Sequence, residues 1–144
     1  SLAEHLGKLS LPVFEDRPFV LGPALDARRV ALISTAGLSV ADDARFTLDD
    51  AGYRVIPGDT DPGRIVMSHI SVNYDRTGFQ DDANVVFPLA RLNELAHEGE
   101  IGSVADFHYS FMGALAPEQM EQHATALDAH LHADEVDAVV LIPV

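Results

Sequence analysis

The sequence predicts an α/β fold: an open, mainly parallel sheet with helices on its faces, incomplete at its C-terminus. Three observations predict it. Apolar runs rich in β-branched residues recur along the chain, as in "RVALIST" and "VDAVVLIPV". Two longer stretches carry apolar residues at helical spacing instead. The two kinds alternate, which implies strands joined through right-handed helical crossovers. Residues 1–28 are expected to form an arm with a short helix. Residues 29–144 are expected to form the α/β domain, open to being the first part of a larger one.

In the arm, Leu2, Leu6 and Leu9 share one helical face and Pro12 ends the run. "EDRPFVLGPALDARR" is broken by Pro and Gly, so it reads as an extended connector. Residues 29–35 form the first strand, a continuous apolar run suited to burial on both faces. Residues 38–52 read as a loop with at most one helical turn. A second strand covers 53–57 and a third 64–70. After a polar loop, Pro88 suits the first turn of a helix whose stripe is Leu89, Leu92, Leu95 and Ala96, with Gly99 at its stop. Residues 101–111 contain a strand. Pro117 opens the next helix, with Glu118 and Glu121 near its positive end and Met120, Ala124, Leu127 and Leu131 on one stripe. Residues 137–144 complete the pattern with an apolar strand of the kind found centrally in parallel sheets. A covering helix would normally follow, and its absence makes the domain look unfinished.

The 144 residues suit one domain, and 47% apolar with 22% charged residues is ordinary globular composition. The charge is not ordinary: Lys8 and eight arginines stand against 23 carboxylates, a net −14. Such a surface repels phosphate backbones, so nucleic acid is not an expected partner. With no cysteine, the chain has no disulfide, thiolate metal site or thiol nucleophile. No apolar run approaches the ~20 residues of a membrane span. No signal-peptide pattern opens the sequence, and a cytoplasmic location is expected.

In open α/β sheets ligands bind beyond the carboxyl ends of the strands. That rule selects four loops, 34–38, 58–61, 68–75 and 108–113, carrying Ser34, Thr35, Asp59, Thr60, Ser68, His69, Ser71, Tyr74, His108, Tyr109 and Ser110. His69 and His108 are the candidate catalytic residues, because only imidazole titrates unaided near neutrality; either is equally readable as a hydrogen-bonded structural histidine. The candidate substrate-binding residues are Thr35, Gly37, Asp59, Tyr109 and Ser110. "STAG" reads as a cradle whose backbone N–H groups hold an anion, or as a turn in which Gly37 supplies a positive φ. Asp59 reads as a carboxylate for a substrate ammonium, or as a turn former in "PGDTDPG". His97, His123, His130 and His132 read as solvated helix residues. No metal and no cofactor is expected: HExxH is absent, and "HLH" at 130–132 lies on a helix that points its rings apart. No GxSxG nucleophile elbow occurs.

Five passages together resemble the component B family of the glycine, sarcosine, betaine and D-proline reductases: "RVALISTAGL", "YRVIPGDTDP", "SH" at 68–69, "NVVFPLARLNELAHEGEIGSVADFHYSFMG" and "VDAVVLIPV". The resemblance covers roughly residues 29–144, and its long middle block is the specific part. It implies an α/β fold and cleavage of carbon–nitrogen bonds in small amino acids or their N-methylated relatives. In that family a redox-active cysteine or selenocysteine typically follows the strand matching "VDAVVLIPV", and this sequence has no cysteine. The resemblance therefore carries over only the pocket side: Thr35, Ala36, Gly37, Asp59, His69 and residues 108–113. The expected function is the substrate-binding portion of such a reductase-like enzyme, an oxidoreductase part whose thiol or selenol lies downstream or on a partner chain. The alternative is a non-catalytic assembly subunit that completes an α/β partner. Either way a second protein chain or a homo-oligomer is expected, beside a small amino-acid-like substrate.

Overall fold

The computed structural model describes residues 13, 15, 19–71 and 75–144. The expected helix on Leu2, Leu6 and Leu9, and Tyr74, lie outside the described residues. The protein is an α/β molecule whose curled, open sheet is built on β1 (Arg29–Ser34), as its two-sided apolar run requires. Along one edge, β1 pairs in parallel with β5 (Ser103–Val104) and then β6 (Phe107–Phe111). Its other edge pairs in parallel with β7 (Ala138–Ile142). Beyond β6 comes β3 (Tyr53–Pro57), and it runs antiparallel, Tyr53 opposite Phe111 and Pro57 opposite Phe107. The expectation of a mainly parallel sheet is thus met in part. Strand direction leaves no mark on hydrophobic periodicity, so nothing in "YRVIP" announces it.

Two elements lie where loops were expected, β2 (Leu38–Val40) and α1 (Thr77–Asp81). β2 pairs antiparallel with β4 (Ile65–Met67), which falls within the expected third strand, to form a small ribbon. The helix α2 (Leu89–His97) buries Leu89 and Leu92 on one sheet face, against Val30, Leu32, Ile56 and Phe87. Of its expected stripe, Ala96 packs against this core and Leu95 stays exposed. Gly99 follows at φ +79°, the left-handed stop. On the opposite face, α3 (Pro117–Ala133) seats Leu127, Met120 and Leu131 against Tyr109, Phe111 and Ile33, while Ala124 is exposed. Pro117 opens α3, and the Gln119 side chain accepts the Ala116 N–H at 3.2 Å, so one orphan donor is satisfied. β7 was expected to sit centrally, but among the described residues it pairs with β1 alone, with Leu141 70% exposed.

Arg29 fixes the amino end of the sheet. Its guanidinium binds the Asp134 carboxylate, the Val104 carbonyl at 2.7 Å and Asp106 at 3.1 Å. Burial opposes ionisation of Asp134, but Arg29 and the Phe107 N–H outweigh it and hold the carboxyl below its ordinary range. No helix among the described residues is long and apolar enough to cross a membrane.

Candidate functional site

At the carboxyl ends of β1, β6 and β7, three chain segments meet. Gly37 takes φ +66°, and a Cβ there would lie 3.0 Å from the backbone N and Cα of His69. Only glycine lets these backbones touch. The Gly37 carbonyl accepts the Ser68 N–H at 2.8 Å, and its N–H donates to Phe111 at 2.8 Å. Gly113 closes the third side: its N–H donates to the Thr35 carbonyl at 2.9 Å, and a Cβ there would come within 2.8 Å of Thr35. The Thr35 hydroxyl accepts the Val144 N–H at 2.8 Å. Beside this junction an open depression of about 270 Å³ is lined by Leu48, Ile70, Ser71, Met112 and Ala114.

Of the two readings of "STAG", these bonds match the turn in which Gly37 supplies a positive φ. The N–H groups of Thr35, Ala36, Gly37 and Leu38 donate to Ile142, the Ser34 hydroxyl, Phe111 and the Ser110 hydroxyl. The turn presents shape rather than donors. Thr35 and Gly37 are junction residues through packing, and Ser110 is wholly buried beneath them, its Oγ 2.9 Å from the Leu38 nitrogen.

His69 stands at this junction, 5% exposed. Its Nδ1 accepts the Ser71 N–H at 3.2 Å, and Arg76 donates to its carbonyl. Burial, then the Arg76 charge, lowers its pKa, so the ring is neutral at pH 7 with its proton on Nε2.

His108 lies at the other end of β6, fully buried. Residues 105–106 interrupt the ladder between β5 and β6, leaving Leu32 without a strand carbonyl to bind. The His108 Nδ1 accepts that N–H at 3.0 Å, standing in for the missing ladder partner. Burial pulls its pKa down to about 4, outweighing the Asp134 carboxylate that raises it; Arg29 adds to the lowering. Its Nε2 has no hydrogen-bond partner among the described residues.

Because β3 runs antiparallel, the 58–61 loop opens on the His108 end. Asp59 lines a separate cleft of about 740 Å³ there with Pro57, Gly58, Asn93 and residues 104–107. Tyr109 points to the α3 face, edge-on to Tyr53 at 5.6 Å, its phenol pKa raised by burial, then by Asp134 and Tyr53. The four expected loops therefore divide. Thr35, Gly37 and His69 come together above Ser110, whereas Asp59 and His108 belong to the opposite end and Tyr109 to neither. Met112, within the expected pocket side 108–113, lines that depression, whereas sequence reading missed Leu48 and Arg76, whose approach has no local signature. Among the described residues no group of three or more His, Asp or Glu is placed to hold a metal ion.

Comparison with known proteins adds family information to this geometry. Residues 59–143 match the family model of the glycine/sarcosine/betaine reductase selenoprotein B. The chain is 35% identical over 115 residues to the D-proline reductase subunit gamma of Acetoanaerobium sticklandii, which covers 78% of this chain and 47% of the relative. The chain thus spans about half the length of the curated relative it matches. No solved structure matches it.

Proposed function

This chain belongs to the glycine/sarcosine/betaine reductase selenoprotein B family, and on that premise we propose that it is the substrate-binding portion of a reductase acting on a carbon–nitrogen bond of a small or N-methylated amino acid. The redox cysteine or selenocysteine lies outside these 144 residues, which contain no cysteine, either downstream or on a partner chain. The observation that carries the reading is the junction of three segments, Thr35 with Gly37, Ser68 with His69, and Met112 with Gly113, at the carboxyl ends of parallel strands.

In this reading the apolar depression beside the junction takes the methyl or methylene groups of the substrate, and His69 holds or moves a proton at its Nε2. A neutral imidazole near pH 7 suits that role, being able to donate and then re-accept. His108, committed through Nδ1 to Leu32, keeps the sheet closed beneath the site and is assigned no proton transfer. A cytoplasmic location belongs to the same reading.

The test is calorimetric titration of the isolated chain with glycine, sarcosine, betaine and D-proline in turn. Binding of one of them, weakened tenfold or more by His69→Ala, is the expected result. No binding of any at millimolar concentration, with a tight complex to a second chain, favours instead a non-catalytic assembly subunit. The observation behind that second reading is the apolar β7, which among the described residues pairs with β1 alone and exposes Val140 and Leu141.

A further inference from the structure

A substrate of the proposed site carries a carboxylate, and a chain of net −14 repels it. Something at the junction has to offset that field. The backbone does not, because the N–H groups of residues 35–38 are all bonded within the protein. A side-chain cation is left, and the arginines differ in how they are used. Arg29, Arg54, Arg64 and Arg91 are paired with Asp134, Asp50, Asp42 and Glu94. Among the described residues, Arg28, Arg45 and Arg76 form no ion pair. Of these three, only the Arg76 guanidinium binds a junction residue, donating from Nη2 to the His69 carbonyl.

The carboxylate next to Arg76 in the chain is committed elsewhere: Asp75 Oδ1 accepts the Thr77 N–H at 2.9 Å and the Thr77 hydroxyl at 2.6 Å. Val72, Asn73 and Tyr74, between His69 and Arg76 in the sequence, carry no charge. Arg76 is exposed, so a solute reaches it, and its planar fork has donors beyond the one given to His69. Its charge already acts on the imidazole, adding to burial in lowering the His69 pKa. The opposite cleft offers the reverse field, being lined by Asp59 and Asp106.

We infer that Arg76 recognises the substrate carboxylate, holding it in a charge-assisted hydrogen bond beside His69. Glycine, sarcosine, betaine and D-proline differ at nitrogen and share that carboxylate. The contact therefore sets the substrate class, carboxylates against plain amines, and leaves the choice among nitrogens to the apolar depression. The inference rests on the proposed site and adds the group that orients the ligand there.

The test titrates the isolated chain calorimetrically with the four amino acids and with their carboxamides. The acid that binds should do so at least tenfold more tightly than its amide. Arg76→Gln should weaken the acid tenfold or more and change the amide by less than twofold, and Arg76→Lys should recover part of the preference. Arg91→Gln, which removes the same charge from α2, should leave both unchanged. In the parent chain the Arg76 Nε–H resonance should move with the acid and not with the amide, a reading that needs no variant to fold. A still Arg76 resonance, an amide bound as tightly as the acid, or an acid bound equally by Arg76→Gln overturns the inference and leaves the proposed site standing. Binding of none of the four overturns the site itself and the inference with it, so the two failures are separable.

Discussion

His69 and His108 look alike as chemistry: both are buried, both accept a backbone N–H at Nδ1, and both are held neutral by burial. Their anchorage differs. His69 is bound two residues along its own loop, beside an open depression. His108 is bound across 76 positions of sequence, inside a sheet that would otherwise lack a ladder partner. The histidine that completes a long-range ladder carries a backbone bond of the sheet itself. On the proposed function, the two ends of β6 separate site from architecture, although their histidines are indistinguishable in the sequence.

The contrast breaks most visibly in activity. In the assembled reductase, His69→Ala should lower turnover by roughly 10²-fold, the usual contribution of a positioned acid or base. Its thermal unfolding should stay within a few degrees of the parent. His108→Asn, which keeps an acceptor near the place of Nδ1, should leave turnover within a factor of a few.

Acid should reveal the other half of the comparison. The His108 pKa falls from 6.5 to about 4 on folding, so protonation favours the unfolded chain. Its contribution is complete above pH 6.5 and is lost as pH falls towards 4, on the order of 3 kcal/mol in all. The lowered His69 pKa acts in the same direction. Urea melts from pH 7 to pH 4 should show this slope, flattened in His108→Asn; an unchanged slope would remove His108 as its source.

Smaller effects test the ladder and the junction. His108→Leu leaves the Leu32 N–H buried without an acceptor, a loss of about 1–3 kcal/mol read from urea midpoints, and His108→Asn should recover part of it. Gly113→Ala forces a methyl to within 2.8 Å of Thr35, an overpacking cost of about 1–3 kcal/mol. Thr35→Val removes the hydroxyl that binds Val144, with about 1 kcal/mol expected. If Gly113→Ala were neutral in stability and in ligand binding, the tight junction would not be what shapes the site.

Much of the fold was legible because it is written locally. "RVALIS" and "YRVIP" have the composition of strands, and Pro88, Gly99 and Pro117 punctuate the helices where the chain uses them. What was illegible is long-range. The direction of β3 moved Asp59 to the far end of the molecule, and the three-residue pairing of β2 with β4 brought His69 over Gly37. The polar "HYS" of β6 drew attention as pocket wall. Strand alternation instead turned Tyr109 under α3 and set His108 and Ser110 to bonding the backbone of Leu32 and Leu38.

The most direct measurement is an amide chemical-shift map of the isotopically labelled chain, titrated with glycine, sarcosine, betaine and D-proline. The account predicts that one of them moves the amides of residues 35–38, 68–70 and 112–114 together and leaves Gly58, Asp59 and Asp106 still. Shifts confined to Gly58, Asp59, Asp106 and Phe107 would place the ligand in the opposite cleft and contradict it.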